Sequence, residues 1–348
     1  MKRKTFKHLA FTVIGGLALV VSACSNDAGT EKAATNDTQT EQAATTDGAA
    51  NETAANETTT DAAAPAEDRV MKDAMDHEVT IPAEPKAIIA SYLEDNLVAL
   101  GVKPVAQWMI KSDQVQAYLQ DSLSGVPGIP FDLPPEVVAS YSPDLILIDG
   151  PDLVAGEKYK QYSAIAPTYV VGGAENNDWR DELLTIGDVL GKKDEAQKVL
   201  DDYDAKAADA KTKVDEATGG AKKAAVLWVL EKDVFVVNQN LSSGDVIYND
   251  LGMTVPDIVK QASESSESNW SSLSLELLAD IDADYLFLVN ASGKDKDQVL
   301  SDPVWKNIPA VKEGQVYEFT GDSSWLYTGA IANGKIIDDV LSSVAGGQ

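Results

Sequence analysis

Side chains that do covalent or metal chemistry are nearly missing from this chain. In 348 residues there is one cysteine, Cys24, and two histidines, His8 and His77. A single thiol cannot close an internal disulfide, so Cys24 is left as an anchor point, an intermolecular partner or a free thiol. One histidine in the folded part cannot supply the clustered imidazoles that free zinc or manganese sites use, and His77 reads as a surface residue. No GxSxG, HExxH, Walker loop or strand-following GxGxxG is present, so no nucleophile, base or phosphate cradle can be assigned. Basic residues are also scarce: 28 Lys and Arg against 56 Asp and Glu give a net charge of −28. That excludes a nucleic-acid footprint and electrostatic docking to anionic lipid.

A further absence is local. Residues 25–69 contain no Val, Ile, Leu, Met, Phe, Trp or Tyr, only Ala, Thr, Asn, Gln, Gly, acids and a few others. With nothing to bury, such a stretch cannot offset its ordering entropy and reads as a disordered tether. Before it stand Lys2, Arg3, Lys4 and Lys7, then the apolar run Leu9–Val21. That run is signal-peptide length and falls short of the roughly 20 residues a spanning helix needs. It closes on Val21-Ser22-Ala23-Cys24, which looks like a lipobox, with Cys24 as the acylated mature N-terminus. The expected organisation is therefore a signal peptide over 1–23, an acylated Cys24 with its tether over 24–69, and a folded body beyond.

What the body does contain is one unit written twice. Glu136-Val-Val-Ala-Ser-Tyr-Ser-Pro-Asp144-Leu-Ile-Leu-Ile148 returns 140 residues later as Glu276-Leu-Leu-Ala-Asp-Ile-Asp-Ala-Asp284-Tyr-Leu-Phe-Leu288. Each copy reads as a short helix opened by a glutamate, a turn at Asp, and a strand apolar enough to be buried on both faces of a parallel sheet. Between the copies, Ala196, Val199, Leu200, Tyr203, Ala207, Ala210 and Val214 step by threes and fours along one helix face. Asp194 with Gln197 predicts a capping box at its start and Gly219-Gly220 predicts its end. At 1.5 Å per residue this helix is on the order of 35 Å long. Strands alternate with helices on both sides of it. The fold class expected is α/β: two lobes of mainly parallel sheet with flanking helices, 70–193 and 219–348, joined by one long rigid helix over 194–218.

Lipobox, tether, the opening Glu78-Val-Thr-Ile-Pro-Ala-Glu-Pro-Lys-Ala-Ile-Ile, the repeated unit and the central helix together resemble the iron-siderophore substrate-binding lipoproteins of ABC importers, a family that also includes vitamin B12 and haem binders. The resemblance implies a ligand cleft between the lobes, little closure on binding, no catalysis and no resident cofactor. It implies a monomer lipid-anchored to the outer face of the cell membrane, with a ferric siderophore as cargo. It places the two glutamates that dock on permease arginines at Glu136 and Glu276. Ligand contacts then fall on Trp179 and Arg180 after one strand and on Trp325 and Tyr327 before the last helix. Trp228 lies inside a strand, where core packing competes with ligand contact. Tyr92, Trp108 and Lys111 follow strands of the first lobe, with Lys158 as a further helper, whereas Trp270 and Trp305 read as structural. Arg180 is the only arginine after Arg69. One arginine among aromatics suits a hydroxamate chelate better than a highly charged catecholate. Haem or B12 binding on the same fold is the alternative; an exported enzyme or a surface adhesin is a more distant one.

Overall fold

The structure, a computed structural model, describes residues 67–111, 114–173, 177–266 and 268–346. Cys24, the signal peptide and residues 25–66 of the tether lie outside the described residues. The first element, β1 (Arg69–Lys72), pairs antiparallel with β2 (Glu78–Ile81), so structure begins one residue inside the expected tether. Arg69 makes the difference: its guanidinium donates to the carbonyls of Asp188 and Val189 at 2.8 and 2.7 Å, tying the first strand to the end of the helix Trp179–Val189.

The first lobe is a parallel sheet in two linked pieces. One holds β3 (Ile88–Ser91), β7 (Leu145–Ile148) and β8 (Thr168–Val170), in the order β3-β7-β8. The other holds β4 (Gln107–Lys111), β5 (Gln114–Val115) and β6 (Gly128–Pro130), with β4 central. A parallel bridge from Ile89 to Ala106 joins the pieces. Apolar side chains leave both faces of this sheet. Ile88, Ala90, Leu145 and Leu147 pack into the main core, while Ile89, Ile146, Ile148 and Val170 pack with Ile129 and Tyr162 on the other side. This is why the first repeat's strand is an unbroken apolar run and not an alternating one.

The helix Lys193–Thr218 follows. Its buried residues, Ala196, Leu200, Tyr203, Ala207, Ala210 and Val214, are those the periodicity marks, Val199 being only partly covered. Gly219 ends it in the left-handed region at φ 71°, the conformation that favours glycine at this position. The start differs from expectation. Lys192 is the N-cap with no side-chain capping bond, Asp194 lies already inside the first turn, and Gln197 bonds Asp201 at 2.9 Å. The Asp194–Gln197 capping box is therefore not formed.

The second lobe is a mixed sheet in the order β11-β10-β9-β12-β13, from β9 (Ala224–Val229), β10 (Val234–Val237), β11 (Trp270–Leu273), β12 (Tyr285–Asn290) and β13 (Val316–Thr320). β9, β12 and β13 run parallel, and β10 forms an antiparallel hairpin with β9. The closing helix Ala330–Val344 packs on the long helix and on Glu94–Ala99 of the first lobe.

The repeat has a structural partner in each lobe. Asp144 accepts from the amides of Lys86 and Ala87 at 2.7 and 2.9 Å, just before β3; Asp284 accepts from the amide of Lys223 at 2.9 Å, just before β9. Each aspartate thus pins the entry of the strand beside its own, satisfying backbone donors that the ladder leaves over. The glutamates do nothing of the kind. Glu136 and Glu276 are both exposed on the first turns of Pro135–Ser140 and Leu275–Ala279.

Candidate functional site

A trough runs between the lobes in two adjoining parts, about 260 and 340 Å³ in volume, that share Tyr92, Asp149 and Asn269. The first lobe lines it with the segments that leave its strands: Tyr92 after β3, Asp149 after β7, and Asn177 to Glu182 after β8. Carboxyl ends of parallel strands are where open α/β sheets bind ligands, because the chain reverses there and leaves a crevice. The second lobe contributes Asn240–Ser242 after β10, Asn269 before β11, and Tyr327 with Thr328 from the loop before the last helix.

Two non-glycine residues lining the deep part hold left-handed backbone, Tyr92 at φ 69° and Ser242 at φ 51°, one from each lobe. Such conformations are strained for side chains with a Cβ and concentrate at sites that bind. At Tyr92 the strained turn sets the ring edge-on to Trp108, centroids 4.9 Å apart. At Ser242 it lets the hydroxyl donate to the carbonyls of Trp325 and Tyr327 at 3.2 and 3.0 Å, fixing the loop that carries Tyr327.

Of the expected ligand contacts, the structure brings Trp179, Tyr327, Tyr92 and Trp108 to the trough. Trp179 is buried, edge-on to Tyr203 of the long helix at 4.8 Å. Three others it places elsewhere. Arg180 turns away from the lining; its guanidinium reaches Asp245 at 3.2 Å and Asp250 at 2.8 Å and lies 4.5 Å from the Trp179 ring centre. Trp325 is fully buried, stacked on Phe319 and Phe287 with centroids 4.3 and 5.0 Å away, and its indole donates to Asp339 at 2.8 Å. Trp228 packs against Trp270 and Phe235 on the second sheet, outside the lining. Lys158 is held by the carbonyl of Asp132 at 2.9 Å. The Lys111 side chain lies outside what the structure describes. His77 stacks on Tyr159 at 3.8 Å and meets Asp73 at 3.0 Å, also away from the trough.

Asp149, Glu182 and Asn269 were not singled out from sequence. Asp149 had a usable signal, since it immediately follows the apolar run of the first repeat, at a strand's carboxyl end. Glu182 had none beyond its place one turn into a helix.

Among the described residues, two polar links cross between the lobes beside the trough, along with the ring contact of Tyr118 and Tyr327. One is Arg180 with Asp245 and Asp250, which lie on the single π-helical turn Asp245–Asp250. Tyr203 joins it by donating to Asp250 at 2.5 Å. The other is Asp95, which accepts from the amides of Ile331 and Ala332 at 3.0 and 2.9 Å and so caps the last helix from the opposite lobe. That approach needs Gly329, where φ is +129° and a Cβ would come within 2.4 Å of Asp95. Because the main core also runs unbroken from the first sheet through the long helix into the second, the trough has rigid walls.

Glu94, completely buried, positions the Trp108 wall by accepting from its amide at 2.6 Å. Burial pushes its carboxyl up to about 8, and Asp95 for the same reason to about 6. A carboxyl raised on folding holds a proton that the unfolded chain has lost. Stability from Glu94 is therefore level below about pH 4.5, falls as pH rises toward 8, and stays low above. Glu94→Gln keeps the acceptor and removes the titration. In urea unfolding it should match the parent near pH 5 and exceed it at pH 9 by on the order of 3 kcal/mol. Equal stability at both pH values would mean Glu94 stays charged in the fold.

Two α/β lobes held by one helix around a trough between them are the architecture of a solute-binding protein. The comparisons place it more closely. Residues 91–322 match the periplasmic binding protein family, and the chain belongs to that family. It is 32% identical over 291 residues to the probable siderophore-binding lipoprotein YfiY of Bacillus subtilis, covering 78% of this chain and 86% of that one. It is 30% identical over 258 residues to the iron(3+)-hydroxamate-binding protein YxeB of the same organism, covering 72% and 77%. Among solved structures, a FhuD-fold periplasmic binding protein component of a ferrichrome ABC transporter from B. subtilis superposes with a TM-score of 0.67 at 28% identity, over 79% of this chain and 99% of that one.

Proposed function

We infer that this chain is the solute-binding receptor of an ABC importer that captures a ferric siderophore outside the cell and delivers it to a membrane permease. The observation that carries this is the trough itself, rigid, preformed and walled by Trp179, Tyr92, Tyr327 and Trp108. Broad aromatic faces suit a bulky, nearly spherical chelate that offers few directional groups. The names of the two relatives, one siderophore-binding and one hydroxamate-binding, support the cargo class. No arginine among the described residues lines the trough, which favours hydroxamate over catecholate chelates. The receptor works as a monomer and needs no cofactor. An acyl chain on Cys24 holds it at the outer face of the membrane, the tether giving it reach. Glu136 and Glu276 meet the permease, one from each lobe.

Fluorescence titration tests the cargo, since Trp179 and Trp108 are reporters in the walls. Ferric hydroxamates should quench with saturation at micromolar concentration or below, and ferric catecholates, haem and cobalamin should not. Saturable quenching by one of the latter alone would move the reading to that ligand, and none by any would end it.

A further inference from the structure

The trough is acidic, and most of its charge is already compensated. Asp95 is bonded by the two helix amides, Asp245 by Arg180 and Asn249, and Asp178 caps its helix through the Arg180 amide at 2.8 Å. Asp152 lines the outer part but is exposed to water; Asp149 and Glu182 lie deeper and are different. They share a hydrogen bond with each other and with Asn177, and no lysine or arginine among the described residues lines either part of the trough. Burial first, and for Glu182 the neighbouring Asp149 charge next, raise both carboxyls above their ordinary range. Two carboxyls that share a hydrogen bond hold a proton between them in the half-closed cavity, and a positive group placed against them would let both ionise.

Two further polar atoms, one acceptor and one donor, have no hydrogen-bond partner among the described residues in the same place. Asn96 Oδ1 and Trp179 Nε1 belong to side chains only 4% and 3% exposed that line the deep part; the amide oxygen suits a donor such as an ammonium, while the indole N–H needs an oxygen of the chelate. An ammonium group brings three donors and no acceptor, which suits two carboxylates and an amide oxygen, and the Tyr92 ring lining the same space can add to its attraction. A bare metal ion fits less well, since no group of three or more His, Cys, Asp or Glu that could hold one exists among the described residues.

We propose that the cargo carries a protonated amine, which Asp149 and Glu182 receive in the deep part of the trough. Its chelate fills the outer part against Trp108, Phe131 and Leu153. Three hydroxamates neutralise ferric iron, so such a cargo is a trihydroxamate complex made cationic by its amine. This rests on the siderophore reading above and goes beyond it by naming the charge that is selected.

The test compares ferrioxamine B, which has a free amine, with its N-acetylated ferric complex, which keeps the chelate and loses the charge. Titrated into the full chain at pH 7, the amine form should bind at least tenfold more tightly. In Asp149→Asn/Glu182→Gln that ratio should fall to near one; if the double variant does not fold, Glu182→Gln alone should at least halve it. Equal binding of both complexes to the parent overturns the proposal and leaves the siderophore reading standing. A ratio unchanged in a folded variant also overturns it, because the amine then sits elsewhere. Binding of neither complex defeats the hydroxamate reading itself, and the proposal with it.

Discussion

Charge reversal of Glu136 and Glu276 together, to lysine, should reduce siderophore uptake in cells to background while leaving affinity unchanged and lowering the melting temperature by only a few degrees. Both carboxylates are exposed and neither has an ion-pair or hydrogen-bond partner among the described residues, so reversal costs the fold little beyond the helix-dipole contribution of about 0.3–1 kcal/mol at each first turn. Each stands on the first turn of a short helix, one per lobe. With rigid walls between the lobes, their separation is set by the fold and not by the ligand. A permease presenting two arginines at that separation would form charge-assisted pairs that fix orientation, and lysine there turns attraction into like-charge repulsion. Glu276 also stands between Leu275 and Leu277, 64% and 42% exposed, an apolar pair left uncovered on the same turn. Exposed leucines beside a docking charge are what a contact surface offers. Each single reversal should leave partial uptake. Wild-type uptake by the double variant would remove both residues from the docking surface.

The second large effect concerns Trp325. Trp325→Ala should lower stability by about 3–5 kcal/mol, since it empties a site that is fully enclosed between Phe287 and Phe319. For a body of this size the melting temperature should fall by on the order of 10 °C. The loss includes an orphaned acceptor: Asp339 is half-buried, burial already raises its carboxyl, and the indole is its hydrogen-bond donor. Trp325→Phe restores the stack without the donor and should recover most of the stability, leaving a deficit of about 1–3 kcal/mol. Affinity should weaken only as far as the loop holding Tyr327 loosens. A stable Trp325→Ala protein that no longer binds would place the ring in the ligand wall instead.

Trp325 also shows where sequence reasoning stops. Trp325 and Tyr327 sit two residues apart in one polar loop, and nothing in the order of residues says which ring faces the trough. The three-residue turn Ser324–Leu326 sends one into the core and leaves the other facing the deep part of the trough. Arg180 is a similar case. Its position after Trp179 is legible, but its partners Asp245 and Asp250 are 65 and 70 residues away, on one turn of the other lobe. Only folding reveals that this arginine fastens the lobes together.

The sequence by itself determined the architecture: two α/β lobes, the long helix between them, and the repeated unit with its paired aspartates. These features rest on periodicity, apolar runs and turn residues, which act over a few neighbouring residues and so are written locally. Tertiary structure alone decided the site's character. Which aromatics face the trough, which arginine is already engaged, and which two carboxyls meet deep in it all depend on groups from distant segments meeting in a half-closed space. There burial and mutual charge, not residue order, set the chemistry.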